Sequence, residues 1–220
     1  MDRTLLVPQV EVPFPLLWGF TTRDTTAALL PPRRLHQVHG CGVLEVPPGS
    51  TTLGQEGDGL WTEAVRTRLG VRVADCVPVL LAGWAQDRPW IAAVHAGWRG
   101  AVAGILDRAV GIFQARGGQC GSLYFAFGPC IQPCHFEVGD EVIAAARRHP
   151  AWEASLALPG PSGKPHLDLH GLLRAQALHL GLDPAKDGSI RRCTCCERDL
   201  FFSYRCGDRE GRQWGLIELP

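Results

Sequence analysis

An α+β fold, mixed β-sheets packed with helices, is what the sequence predicts, and three observations predict it. Strand-like apolar runs recur over most of the 220 residues, amphipathic helical stretches lie between some of them, and the two alternate regularly only once.

The strand-like runs cover residues 36–46, 71–82 (VRVADCVPVLLA), 90–95 (WIAAVH), 122–127 (SLYFAF) and 214–219 (WGLIEL). A helix is predicted over 101–116, where Val102, Ile105, Leu106, Ala109, Val110 and Phe113 fall on one face and Gly117–Gly118 supply the stop. A second helix fits 140–148. A third starts at Asp168, an N-cap, and runs through Leu169, Leu172, Leu173, Gln176 and Leu180 to a stop at Gly181. Strand, helix and strand over 90–127 make one β-α-β unit, while the other strands follow one another too closely for regular alternation. LALPGPSGKPH (156–166) is too short for a linker and reads as a surface loop, and DLFFSYR (199–205) reads as a buried aromatic strand ending in Arg205. With no repeat and no low-complexity tract, residues 1–220 are expected to form a single domain.

Composition narrows the partners. Lys plus Arg and Asp plus Glu number 22 each, so no overall charge points to nucleic acid or to an acidic membrane. The early apolar stretch is broken by Pro8, Gln9 and Glu11, which argues against a signal peptide, and no uninterrupted apolar run approaches the ~20 residues of a membrane span. The expected location is the cytoplasm, where the nine cysteines stay mainly reduced and are available as ligands or nucleophiles.

Three apolar runs end in polar, metal-competent side chains. IAAVHAGWRGAVAG (91–104) delivers His95 and Arg99 to a strand-to-helix turn, where free backbone N–H groups and a forked guanidinium suit a phosphate or carboxylate. The plain alternative is that Trp98 packs and Arg99 pairs with a surface carboxylate. RLHQVHGCGVLEV carries His36 and His39, which face opposite sides of an extended segment, so one of them enters a shared site; His39, beside Gly40, is the choice. VRVADCVPVLLAG carries Asp75 and Cys76. His39, Cys76 and His95 would make a three-ligand zinc site with a fourth position open, the arrangement of catalytic zinc. Against it stand inert packing for a buried cysteine and a satisfied core role for a histidine. CIQPC (130–134) and CTCC (193–196) could together supply four thiolates, but the spacing is imperfect and leaves Cys195 and Cys206 over, so scattered reduced thiols are expected there.

QVHG (37–40), DGLWT (58–62), ADCVPVLL (74–81), AAVHAGWRG (92–100), FGPCIQPCHFEVGDEV (127–142) and CTCCERDLFFSYR…GRQWGLIEL (193–219) occur together and in order. The set resembles the laccase-domain family, also called the multicopper polyphenol oxidase or purine nucleoside phosphorylase family, over roughly residues 18–219. The resemblance implies an α/β/β/α layered fold and a zinc held by His39, Cys76 and His95, with copper as the alternative metal. It implies phosphorolysis of adenosine, inosine, guanosine and methylthioadenosine to base and pentose 1-phosphate, with adenosine deamination as a second activity. The partners are then a purine nucleoside and phosphate, with a second copy of the chain in a homodimer as the macromolecular partner left open.

Residue types can be matched to that chemistry. Arg99, Arg23 and Arg205 are the expected phosphate-binding cations, and Cys76, Arg99 and Asp75 the expected catalytic set. Asp75 is placed on the side of the strand opposite Cys76, as an orienting carboxylate. A multicopper centre would need about ten histidines, given the preference of copper for imidazole; the chain has eight. The competing chemistries are a laccase-like oxidase, a Cys76-dependent hydrolase or amidase acting on peptidoglycan precursors, and an inactive metal-binding module. One departure from the family pattern is the compression of the segment between FTTR and QVHG, residues 23–35, to about a dozen residues, which bears on substrate specificity.

Overall fold

The computed structural model describes residues 4–25, 33–50 and 54–220. Two sheets lie face to face. The first has the order β1 (Leu5–Leu6), β2 (Leu17–Thr21), β11 (Gln213–Leu219), β5 (Thr67–Val73) and is antiparallel throughout. The second has the order β3 (Val43–Glu45), β4 (Gly59–Thr62), β7 (Arg88–Ala96), β6 (Val77–Ala85), β8 (Tyr124–Phe127) and is mixed, because β3 and β4 are parallel.

Alternation along β6 and β7 sorts side chains into two cores. Val77, Val79 and Leu81 of β6, with Trp90, Ala92 and Val94 of β7, face the helices; Leu80, Ala82, Ile91 and Ala93 face Leu69, Val71, Phe20 and Ile217 of the other sheet. The helices are α1 (Trp98–Val102), α2 (Ile105–Ala115), α3 (Asp140–Ala146) and α4 (Leu169–His179), and their buried hydrophobic side chains all belong to the first core. Each fully buried large apolar side chain, such as Ile105 or Phe113 of α2, contributes about 1.5–3 kcal/mol. The α+β architecture is therefore helices, five-stranded sheet, four-stranded sheet. An outer helical layer on the four-stranded sheet, the fourth layer of the α/β/β/α order, is not found among the described residues, and residues 26–32 of the compressed segment lie outside them.

The β-α-β expectation for 90–127 holds: β7 and β8 are both antiparallel to β6, hence parallel to each other, with α1 and α2 as the crossover. The single helix expected over 101–116 is split, because Gly104 adopts φ 78 and starts α2 afresh. α4 begins at Asp168, whose carboxylate accepts the Gly171 N–H at 2.8 Å, and ends before Gly181 in a left-handed conformation.

Four strand readings need correction. Residues 71–82 are not one strand: β5 ends at Val73 in one sheet and β6 starts at Val77 in the other, with the chain turning at Asp75, φ 88. Within 36–46 only β3 is regular strand, since His39 has φ 59 and breaks the extended run. Residues 157–159 and 165–167, expected as loop, pair as the hairpin β9 (Ala157–Pro159) and β10 (Pro165–Leu167). DLFFSYR is turn and coil; the Gln213 side chain serves as its neighbour, accepting the Phe202 N–H and donating to the Phe202 carbonyl.

Candidate active site

The open edge of the layer between the two sheets gathers the polar ends of three segments. His95 has the same parity on β7 as Ile91 and Ala93 and so points into the inter-sheet layer at the strand end. Cys76 lies on the three-residue crossover from β5 to β6. His39 lies on the bend before β3. Their ligating atoms lie within 4.8 Å of one another, and the two imidazole centroids are 4.8 Å apart at 81°.

Asp58, fully buried just ahead of β4, organises this meeting. Its carboxylate accepts the backbone N–H groups of Val38 (3.3 Å), His39 (2.9 Å) and Gly40 (2.7 Å), which fixes the bend carrying His39. The same carboxylate lies 2.8 Å from His95 Nδ1. A carboxylate only accepts, so Nδ1 carries the proton and Nε2 is left for the site, as in carboxylate–histidine–metal triads. Gln37 adds a second tether, donating to the Arg72 carbonyl (2.8 Å) and accepting the Arg72 N–H (2.9 Å) at the end of β5.

Close packing explains the glycines of HAGWRG. A Cβ on Gly97 would sit 3.1 Å from Cys76 Sγ and 3.3 Å from His39 Cδ2; one on Gly100 would sit 2.8 Å from the Gly40 carbonyl oxygen. Gly97 therefore floors the three-residue cluster, and Gly100 lets the His39 bend close against α1.

Electrostatics couples the groups. Burial raises the Cys76 thiol, but hydrogen bonds with His39 and His95 and their positive charge outweigh it and bring it down to about 7. Burial lowers His95, but hydrogen bonds with Asp58 and Cys76 and their negative charge raise it to about 9. Burial raises Asp58 too, and its bonds to His95, Gly40 and His39 with the His95 charge pull it below its ordinary value. A polarised thiol between two imidazoles, one backed by a carboxylate, is a donor set that fits zinc.

The cluster opens into a cavity of about 920 Å³, lined also by Trp98, Phe136 and Tyr204 and by Arg72, Arg99, Arg205, Arg209 and Arg212. Arg72 is lowered by burial and by the charges of Arg34 and Arg212, so cations crowd this wall in a way an anion would relieve. Arg99 is exposed, with its guanidinium 4.6 Å over the Trp98 ring. Arg205 lines the cavity and donates to the carbonyls of His135 and Glu137, both at 3.1 Å. Arg23 does not line the cavity: its guanidinium is bound to Asp208 at 2.6 Å and to the Phe201 carbonyl at 2.9 Å. Asp75 does line it, but Thr194 Oγ1 donates to one of its oxygens (2.6 Å) and the Arg205 N–H to the other (2.7 Å). Asp75 sits in the turn between β5 and β6, so strand alternation does not set it on the face opposite Cys76. His36 is outside the cavity, and its backbone pairs beside Glu56 by bonding to Gln55 and Gly57.

The sequence profile of the family described as multi-copper polyphenol oxidoreductase laccase matches residues 22–220. The chain belongs to that family. This laccase-family chain is 36% identical over 185 residues to the purine nucleoside phosphorylase YfiH of Shigella flexneri, covering 84% of the chain and 72% of the relative. It is 36% identical to a purine nucleoside phosphorylase of Deinococcus radiodurans (85% and 70% covered) and 34% identical to the adenosine deaminase RL5 of an unknown prokaryotic organism (80% and 70% covered). Among solved structures, YlmD from Geobacillus stearothermophilus superposes with a TM-score of 0.81 at 26% identity, over 93% of this chain and 92% of that one. A hypothetical protein YfiH of Bacillus licheniformis gives 0.83 at 25%, over 93% of both.

Sequence reasoning about this laccase-family chain missed Asp58 and the cations Arg72, Arg209 and Arg212. Asp58 stands first in DGLWT, and an aspartate opening a buried strand was the available signal; the arginines carried none, because only the fold turns them to one wall.

Proposed function

We propose that this chain is a zinc-dependent purine nucleoside phosphorylase, converting adenosine, inosine, guanosine or methylthioadenosine and phosphate to base and pentose 1-phosphate, with adenosine deamination as a second activity. The observation that carries the reading is the convergence, in one cavity, of His39, Cys76 and His95 with a wall of five arginines and three aromatic rings. The names of the relatives at about a third identity agree with it.

His39, Cys76 and His95 would hold the zinc, and bound there it would supply Lewis acidity toward a phosphate or ribose oxygen and lower the pKa of water for deamination. The rest falls to the chain's own groups. Arg72, Arg99, Arg205, Arg209 and Arg212 neutralise the phosphate as it attacks the anomeric carbon and the bond to the purine nitrogen breaks. Trp98, Phe136 and Tyr204 give the base apolar faces. Asp75, with both oxygens occupied, is a positioning residue that sets Arg205 and Thr194 rather than a catalytic acid or base. Arg23 holds the segment after β2 against Asp208 and has no part in phosphate binding. A laccase-like copper centre is a poorer reading, because only two histidines, His39 and His95, line the cavity among the described residues. The cytoplasm suits an enzyme with this many free thiols.

The test is phosphate-dependent base release from the four nucleosides, with metal content measured on the wild type and on His39→Ala, Cys76→Ala and His95→Ala. Base release that needs phosphate and disappears with the metal in all three variants is expected; release without phosphate, or turnover in metal-free protein, overturns the reading. The thiol brought down to about 7 between two imidazoles also favours a second reading, Cys76 as nucleophile of a hydrolase or amidase. The two separate cleanly: zinc shields a ligand from alkylation and activates the phosphorylase, whereas it inhibits a cysteine nucleophile.

A further inference from the structure

Across the cavity wall from Cys76, two loops bring a second set of soft donors to one point. The first carries Cys134 and His135; the second carries Cys193 and Cys196. Cys134 Sγ lies 3.6 Å from Cys193 Sγ and 3.6 Å from Cys196 Sγ. His135 Nδ1 lies 3.3 Å from Cys134 Sγ, 3.8 Å from Cys193 Sγ and 3.5 Å from Cys196 Sγ. All four donor atoms fall within 4.8 Å of one another.

Those separations are the edges of a metal tetrahedron. With zinc–sulfur bonds of about 2.3 Å and a zinc–nitrogen bond of about 2.0–2.1 Å, tetrahedral angles put sulfurs about 3.8 Å apart and sulfur and nitrogen about 3.6 Å apart. We propose that Cys134, His135, Cys193 and Cys196 form a second, structural zinc site of the three-cysteine, one-histidine type, distinct from the cluster of His39, Cys76 and His95. All four positions of the metal are filled by protein, which makes the site closed and non-catalytic.

The surrounding chain is built to hold the donors still. Cys193 and Cys196 have the C-x-x-C spacing of a zinc half-site, and the turn between them is closed by the Glu197 N–H donating to the Cys193 carbonyl at 3.1 Å. Arg192 and Glu197 clamp its two ends through a forked ion pair, one arm at 3.1 Å. The loops are stitched by Cys130 N–H to the Arg192 carbonyl (3.2 Å) and Thr194 N–H to the Cys130 carbonyl (3.1 Å). The thiols expected to be scattered are gathered by this pairing, with His135 as the donor that a four-thiolate reading overlooks. Cys130, Cys195 and Cys206 stay outside: Cys130 Sγ accepts from Gln132, and Cys195 sits against Ser203 and Cys206.

The site has a task. From its ligands the contacts run straight to the cavity: the His135 carbonyl holds the Arg205 guanidinium, and Thr194, inside the half-site, donates to Asp75 beside Cys76. Zinc here would lock the wall that presents Arg205.

Metal content of the full-length protein tests the proposal independently of any activity. The wild type is expected to hold two zinc ions per chain, Cys196→Ser one, the double variant His39→Ala/Cys76→Ala one, and the combination none. Should Cys196→Ser fail to fold, cobalt loaded into the His39→Ala/Cys76→Ala protein supplies the second readout: intense visible bands of tetrahedral cobalt with thiolate-to-cobalt charge transfer are expected. One zinc in the wild type that vanishes with the His39/Cys76 pair, no such cobalt spectrum, or a mapped disulfide joining Cys134 to Cys193 or Cys196 in freshly purified protein would each overturn it.

Discussion

Asp58 concentrates more structural consequence than any other single side chain of the site, because one buried carboxylate holds both histidine-bearing segments. Asp58→Asn keeps the size but puts an amide against N–H donors. It is expected to weaken zinc at the His39–Cys76–His95 cluster by about 10–100-fold, read by chelator competition, and to cost on the order of 1–3 kcal/mol in denaturant unfolding for the donors left unpaired. Cys76 offers a titration. In metal-free protein its alkylation, followed by peptide mapping, should rise with pH through a midpoint near 7 rather than the ordinary 9.0, and zinc should suppress it. The stability linked to Cys76 is present above the unfolded value of 9.0 and lost as pH falls through about 7. That linked to His95 is present below 6.5 and lost as pH rises through about 9. Between about 7 and 9 the two contributions change in opposite directions and cancel, so their joint effect on the thermal stability of the metal-free protein should be nearly flat across that window, and a steep slope there would contradict the coupled pair.

At the scale of elements, the helices after β7 separate two kinds of glycine. Gly111 is exposed on α2 with open space where a Cβ would go, so Gly111→Ala should stabilise by about 0.5–1 kcal/mol. Gly100→Ala drives a Cβ against the Gly40 carbonyl and should destabilise by about 1–3 kcal/mol while loosening zinc, both visible in melting curves with and without metal. Elements were legible where the periodic signal was local: α2 and α4 announced themselves by their apolar faces and stops, and the unit over 90–127 by its order. The strands on either side of Cys76 read as one, since Val71 to Leu81 is apolar on both sides of a turn that only the left-handed Asp75 reveals. DLFFSYR read as a strand because Phe201 is buried; its hydrogen bonds go to the Gln213 side chain, a partner that no pattern within the segment could disclose. The same division holds at the site. His39, Cys76 and His95 sat in recognisable motifs, whereas Arg72 and Arg212 share a wall only because β5 and the segment before β11 are neighbours in the first sheet.

On the scale of the whole molecule, the cavity sits at the edge of the seam between the sheets, so both sheets contribute to it and charge accumulates from distant parts of the chain. Arg72→Ala and Arg212→Ala should each raise the KM for phosphate by roughly 10-fold or more, the worth of one charge-assisted hydrogen bond, and leave the KM for nucleoside within a few-fold. Steady-state kinetics with each substrate varied in turn decides it; an equal rise in both constants would place these arginines in general folding instead. The crossover between the sheets has its own implication. Residues 74–76 are all the chain there is between β5 and β6, so Cys76 is held in place by the shortness of a link, much as a bead is held by a taut thread. One additional residue inserted there would leave every side chain of the two sheets intact and still slacken the thread. The exposed hairpin loop at 161–164 should accept an added residue at little cost, whereas in this crossover the length itself does the holding.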